Sequence, residues 1–178
     1  MNRYRIAAAI LASTTALFAA PAFAVDTGSD TGTIGVSLTV VEECTLATNA
    51  IAFPTTGIVD ANVETSTTIT IECTRHSPFE IGLSAGANAG GTDVDERKLA
   101  LVGGEAEDTL DYQLYSNAGY STVWGHTIGE DTVGDDDATG ADQTFTIYAR
   151  VPTHQNAPAG SYTDTVTATI WYGEGLEP

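Results

Sequence analysis

The sequence is poor in positively charged side chains, and this shortage limits the partners it can have. It contains six arginine and lysine residues against 24 aspartates and glutamates, and Lys98 is its single lysine. Arg3 and Arg5 fall within the first 24 residues, so the rest of the chain carries four basic residues against 24 acidic ones, a net charge of −20. Such a chain repels phosphate, which excludes nucleic acid as a partner and argues against an anionic membrane surface.

The sequence also lacks an apolar run that would span a membrane comfortably. The run "IAAAILASTTALFAA" is short and rich in Ala, Ser and Thr. Arg3 and Arg5 precede it, and "AFA" at 22–24 follows it with the small-x-small pattern of a cleavage site. This arrangement predicts a cleaved secretory signal peptide over residues 1–24, with an uncleaved anchor as the alternative. We therefore expect the chain to be exported without insertion into the membrane.

Cysteine is scarce, with Cys44 and Cys73 as the two examples. An even number in an exported chain predicts a disulfide bond, here closing a loop of about 30 residues. A metal or redox pair is the alternative, but neither cysteine lies in a C-x-x-C motif. No histidine is spaced to complete a zinc pattern with them.

Helical periodicity is missing after residue 25, and alternation with period two replaces it. Gly, Asn, Asp and Pro separate the alternating stretches. About seven strands are predicted in this way, at 33–41, 50–53, 67–73, 79–85, 110–116, 143–151 and 161–172. This pattern indicates an all-β fold, a single antiparallel β-sandwich of immunoglobulin-like type, with long solvated loops at 84–97 and 126–142.

Catalytic motifs are nearly absent. "GLSAG" at 82–86 matches G-x-S-x-G, but the residues after it cannot open the helix that a Ser84 nucleophile requires. The histidines fall in separate turns and indicate neither a triad nor a metal site. We predict that the chain is not an enzyme and binds no cofactor, and a hydrolase using Ser84 is the remote alternative.

The acidic stretch "DDDATGAD" at 135–142 partly matches a calcium-binding loop. Asp135 and Asp137 occupy the first and third ligand positions, and Gly140 occupies the glycine position. Thr146 stands where the bidentate glutamate belongs, and no helices flank the loop. Weak calcium binding at Asp135 and Asp137 is therefore the alternative to a solvated acidic turn.

The N-terminal strand has the clearest alternation in the chain. Ile34, Val36, Leu38 and Val40 lie on one face of "TGTIGVSLTVV", and small or hydroxyl-bearing residues lie on the other. Burial of these four side chains is worth about 6–12 kcal/mol, comparable with the stability of a whole domain. Periodicity alone leaves open whether this strand completes its own sheet or that of another copy.

Several motifs together resemble one family, the spore coat protein U domain, which is the fold of the major pilins of archaic chaperone–usher pili. Cys44 lies behind the N-terminal strand, as in the family. The other motifs that carry the resemblance are "ITIECT", "FEIGLSAG", "ERKL" with Arg97, "LDYQLYS", "VWG" and "VPTHQNAPAGSYTDTVTATIWY". The chain departs from the family pattern at Pro54, at "YAR" and in the tail "GEGLEP".

The resemblance implies a sandwich that lacks its last strand. In such pilins a periplasmic chaperone fills the gap, and an outer-membrane usher then inserts the N-terminal strand of the next subunit. It implies a donor segment at 25–41 and a pilin domain at 42–178, with residues 28–40 as the donating part. The strand beside the acceptor groove would carry Val166, Ala168, Ile170 and Tyr172.

The resemblance also implies a function and a location. The chain would be a structural subunit of a surface fibre for attachment and biofilm formation, passing through the periplasm to the cell surface. Its partners would be copies of itself or related pilins, the chaperone and the usher. A free secreted β-sandwich that binds carbohydrate or calcium is the alternative, and it should be monomeric with all strands internal.

Overall fold

The computed structural model describes residues 27–176, so the predicted signal peptide lies outside the described residues. The described residues fall into two units, one ending at Leu38 and one starting at Thr39. In the first unit residues 27–38 form neither helix nor strand. All the strands found within residues 27–176 lie in the second unit. Within residues 27–176, no helix combines the length and apolarity needed to cross a bilayer.

Within the described part of the second unit there are ten antiparallel strands and a single turn of 3-10 helix at Val94–Glu96. The strands are β1 (Cys44–Thr48), β2 (Val63–Cys73), β3 (Phe79–Leu83), β4 (Lys98–Leu101), β5 (Thr109–Asp111), β6 (Gln113–Tyr115), β7 (Val133–Asp135), β8 (Gln143–Val151), β9 (Tyr162–Thr163) and β10 (Ala168–Tyr172). They form sheets in the orders β1-β2-β8-β6, β10-β3-β7 and β5-β4-β9. The prediction of an open, all-β antiparallel sandwich is confirmed.

The core lies where the inward faces of these strands meet. β2 contributes Ile69 and Ile71, and β3 contributes Phe79, Ile81 and Leu83, all buried as the alternation predicts. On β8 the buried residues are Ile147, Ala149 and Val151, and Trp124 joins them from a loop. Thr68 and Thr70 take two of the outward positions of β2, because a β-branched polar side chain suits a half-exposed pleated surface.

The structure divides two of the predicted strands. The predicted strand 110–116 breaks at Tyr112, because Leu110 belongs to β5, which pairs with β4, while Leu114 belongs to β6, which pairs with β8. The predicted strand 161–172 breaks at 164–167, where the backbone bonds irregularly to residues 84–87 instead of to a strand. These breaks add two strands to the number expected.

The predicted strand at 50–53 is wrong, and the structure also has strands that were not predicted. The backbone of residues 50–53 is not part of any ladder within the described residues. Their side chains line a groove instead, which explains the apolar pattern without a strand. Residues 33–41 have no ladder partner within 27–176, so the prediction that they form a strand, with a partner in their own sheet or in that of another copy, stays a prediction. Three strands, β1, β4 and β7, were missed, and the last two lie in or beside loops predicted as long and solvated.

Candidate functional site

A groove of about 1030 Å³ opens along one side of the second unit. One wall is the chain from β1 to Thr56, which contributes Leu46, Ile51 and Phe53. The opposite wall is the run 160–168, which contributes Tyr162, Val166 and Ala168. The floor consists of core side chains, namely Ile69, Leu83, Leu114 and Ile147. The sandwich is therefore open to its hydrophobic core along this side.

The two strands that flank the opening are edge strands. β1 is the outermost strand of its sheet, and β10 is the outermost strand of its own. An edge strand presents backbone N–H and C=O groups that another strand can pair with. The opening therefore offers both an apolar trough and hydrogen-bonding groups along it.

Asp164 belongs to the wall at 160–168 and ties this wall to the rest of the fold by hydrogen bonds. Its Oδ1 accepts hydrogen bonds from Ala87 N at 2.9 Å and from Asn88 N at 3.2 Å. Its Oδ2 accepts one from the Tyr112 hydroxyl at 2.6 Å. Desolvation and this hydrogen bond raise the pKa of Tyr112, so the phenol stays protonated at neutral pH. Gly86 permits this arrangement, since its φ is +95° and a Cβ there would collide with the Asp164 carboxylate.

Arg97 fixes the end of β3, which lies beneath the groove. Its guanidinium is fully buried and donates to the carbonyl oxygens of Leu83, Ser84 and Trp124 at 2.8–3.0 Å. It also donates to the Gln113 side-chain oxygen at 2.5 Å. Burial lowers the pKa of Arg97 to about 10, so the group remains charged at neutral pH. The carbonyl dipoles compensate this buried charge, which is otherwise costly.

Cys44 and Cys73 form the predicted disulfide bond. They lie directly opposite each other in the β1–β2 ladder, so the bond joins the first residue of the edge strand to its neighbour. It thereby fixes the point at which the N-terminal segment meets the folded sheet.

Ile34, Val36 and Leu38 in the N-terminal segment are 87–93% exposed, and Val40 is 70% exposed. Aliphatic side chains of this size are normally buried, and a row of them on one side of an extended chain marks an interaction surface. The donor assignment remains a prediction at this point. Among the predicted terminal-strand residues, Val166 and Ala168 line the groove. Ile170 packs on the core instead, and Tyr172 is 42% exposed.

Ser84 does not have the surroundings of a nucleophile. Its hydroxyl accepts hydrogen bonds from Thr167 N at 2.9 Å and from Gly86 N at 3.4 Å. The side chain therefore ties the loop after β3 to the run before β10.

The calcium candidates lie on the opposite edge of the β10-β3-β7 sheet. Asp135 accepts a hydrogen bond from Asp137 N at 3.0 Å, and Asp137 pairs with His76 at 2.5 Å. Within residues 27–176, no group of three or more His, Cys, Asp or Glu side chains is placed to hold a metal ion. Asp135 is thus engaged by the backbone of its own loop, and Asp137 is engaged by His76.

Comparison with known proteins identifies the family. The model of the Spore Coat Protein U domain matches residues 30–169. The chain belongs to this family. Protein U of Myxococcus xanthus is 31% identical to it over 107 residues, which are 58% of each sequence. The chain thus spans somewhat more than half the length of that relative.

Two solved structures extend the comparison of this Spore Coat Protein U domain. One is a chain of the CsuC–CsuE chaperone–tip adhesion subunit pre-assembly complex from archaic chaperone–usher Csu pili of Acinetobacter baumannii. It has a TM-score of 0.55 and 20% identity, over 74% of this chain and 40% of that one. The likeness supports a shared fold. The minor tip subunit HdaB of the E. coli Hda pilus has a TM-score of 0.36 and 19% identity, over 72% and 79% of the two chains.

Proposed function

We propose that this Spore Coat Protein U domain protein is the structural subunit of a surface fibre, and that it polymerises by donor-strand complementation. Residues 28–40 of one copy insert into the groove of the next. The observation that carries the proposal is a match between two features of one chain. The groove exposes an apolar core, and the N-terminal segment exposes an alternating apolar face.

The dimensions and energetics of the match support insertion. Ile34 to Val40 in extended form spans about 20 Å, the length of an ordinary strand. Its four apolar side chains would leave water for the core, which stabilises the complex by about 6–12 kcal/mol before the cost of association. Residues 31–41 contain no charged residue, so the insertion buries no unpaired charge.

The backbone of β1 also supports insertion of the donor segment as an added strand. A strand placed between β1 and the 160–168 run finds an edge of β1 that no strand within residues 27–176 pairs with. Addition of an extended peptide to a sheet edge gives affinity through main-chain hydrogen bonds and specificity through pockets for alternate side chains. Ile34, Val36, Leu38 and Val40 supply those alternate side chains.

The geometry of the contact supports a fibre. Donor and groove are different surfaces, so each contact is heterologous and leaves one donor and one groove unused at the two ends. Assembly of this kind continues head to tail without closing. The role is therefore structural rather than enzymatic, and the fibre serves attachment and biofilm formation at the cell surface.

The open groove also supports the proposed partners. An exposed core aggregates unless it is covered, so the subunit needs a periplasmic chaperone in transit and an outer-membrane usher to exchange the chaperone for the next subunit. The structural likeness is to a complex in which a tip adhesion subunit is held together with a chaperone before assembly. The predicted signal peptide over 1–24 supplies the export step.

Electrophoresis tests the proposal. The chain starting at residue 25 is purified from an oxidising compartment, kept at high concentration and run in SDS with and without heating. Inserted strands predict a ladder of multiples in the unheated lane and a single band in the heated lane. A single monomer band in both lanes contradicts the proposal and favours a free secreted sandwich.

A further inference from the structure

The connection between the N-terminal segment and β1 is held by one side chain, Thr74. The Thr74 hydroxyl accepts a hydrogen bond from Glu43 N at 3.1 Å and donates to the carbonyl oxygen of Val41 at 3.0 Å. The Thr74 backbone N–H donates to the Glu43 carbonyl oxygen at 2.8 Å. We call these three bonds the Thr74 clamp. The Cys44–Cys73 disulfide lies directly beside it.

The short connection to β1 limits how the donor segment could enter the groove of its own chain. Three residues, 41–43, separate Val40 from the start of β1. Insertion parallel to β1 in the same chain would require a crossover connection of about a dozen residues. The segment could therefore reach its own groove only as a hairpin antiparallel to β1, and residues 41–43 would have to form the turn.

The hairpin and the clamp exclude each other. Thr74 follows β2, so its bonds hold Val41 and Glu43 alongside the β2 side of β1. The hairpin would have to carry the chain to the other edge of β1, which borders the groove. Residues 41–43 cannot turn toward that edge while they remain bonded to Thr74.

We propose that the Thr74 clamp prevents the donor segment from folding back into its own groove and so commits it to a second copy of the chain. This inference rests on the proposed function, because it concerns which copy's groove the segment enters. Thr74 acts as a positioning residue. A hydroxyl suits the role because it accepts and donates at once, and valine keeps the shape of threonine while doing neither.

Thr74→Val should shift the balance between the two destinations. The variant keeps the backbone bond to Glu43 but loses both bonds of the hydroxyl, which favours the hairpin about tenfold. Thr74→Ser keeps the hydroxyl and should behave like the wild type. Thr70→Val is a matched control, because it removes from β2, four residues before Thr74, a hydroxyl whose neighbour is Thr144.

The experiment compares these four proteins as full mature chains at equal concentration. SDS-resistant multimers are quantified on unheated gels, and amide hydrogen exchange of residues 31–40 is measured in the monomer isolated by gel filtration. Thr74→Val should give about tenfold more monomer in which residues 31–40 are protected. Thr74→Ser and Thr70→Val should give wild-type multimers and unprotected monomers.

A second variant keeps the test decisive if Thr74→Val folds poorly. Insertion of Asn-Gly between Glu42 and Glu43 supplies a tight hairpin turn and separates Val41 from Glu43, so that Val41 is released from the Thr74 hydroxyl without a change at Thr74 itself. It should also produce protected monomers. Wild-type multimers from both variants, with unprotected residues 31–40 in their monomers, would overturn the role of the clamp and leave donor insertion intact. Absence of multimers from the wild type would overturn donor insertion itself.

Discussion

The Tyr112 hydroxyl donates a hydrogen bond of 2.6 Å to Oδ2 of Asp164, and this bond links the floor of the groove to one of its walls. Asp164 also binds the backbone of the loop at Ala87 and Asn88. In the proposed assembly, the wall that receives the donor strand is thus fixed before the strand arrives. Such preorganisation lowers the ordering cost of binding.

Tyr112→Phe should lower the free energy of unfolding by about 1–3 kcal/mol at pH 7, because it leaves a half-buried carboxylate oxygen without its donor. The pKa of Tyr112 is raised in the folded state, so its stabilising effect is complete below pH 10 and declines as the pH rises further. The difference between wild type and Tyr112→Phe should therefore shrink above pH 10. Urea titrations between pH 7 and pH 11 measure it, and a constant difference would contradict the assignment.

Gly86→Ala should destabilise the domain for two reasons that a control separates. The φ of +95° is unfavourable for alanine, and the new methyl group would collide with Asp164. Gly90→Ala meets the same kind of strain at a φ of +77° but finds open space. We expect a loss of about 1–2 kcal/mol for Gly90→Ala and a clearly larger loss for Gly86→Ala. Equal losses in thermal or urea unfolding would mean that the Asp164 brace tolerates the methyl group.

Removal of the disulfide should weaken the domain without abolishing its pattern of pairing. The bond closes a loop across a sequence separation of 29, worth about 3.5 kcal/mol in the chain-entropy model. The double variant Cys44→Ala, Cys73→Ala should show that loss in urea unfolding, and reduction of the wild type should reproduce it. A loss below about 1 kcal/mol would mean that the β1–β2 ladder alone holds the N-terminal edge.

The face of the donor segment can be tested residue by residue. Leu38→Asp puts a charge on the apolar face, and an unpaired carboxylate in an apolar groove should reduce SDS-resistant multimers at least about tenfold. Ser37→Asp puts the same charge on the opposite face and should leave multimers near the wild-type yield. Both positions are exposed in the single chain, so the stability of the monomer should not change. Equal effects of the two variants would rule out an inserted strand with this orientation.

The sequence predicted the core better than the edges. Alternation located the buried faces of β2, β3 and β8 because those strands have partners on both sides or pack directly on the core. It failed at residues 50–53, where apolar side chains line the groove without a ladder. The same pattern at 33–41 marks a segment that pairs with no strand among the described residues, and periodicity carries no information about whether the partner is internal.

The polar residues that hold the groove and the N-terminal connection in place could not be predicted from sequence patterns. Nothing in the local sequence shows that Arg97 is fully buried, because its partners are backbone carbonyl oxygens at 83, 84 and 124. Asp164 and Thr74 are equally ordinary residues by composition, and their roles arise from contacts across the fold. Family motifs include Arg97 and "GSYTD", but motifs do not specify these bonds.

The central claim is that one copy's N-terminal segment fills another copy's groove, and mixing two defective variants tests it most directly. Leu38→Asp should accept a donor but not donate. Val166→Asp, which places a charge in the groove wall, should donate but not accept. Native mass spectrometry should find each variant monomeric alone and a 1:1 dimer, with no longer species, in the mixture. A mixture that remains monomeric, or a ladder from either variant alone, would contradict the account.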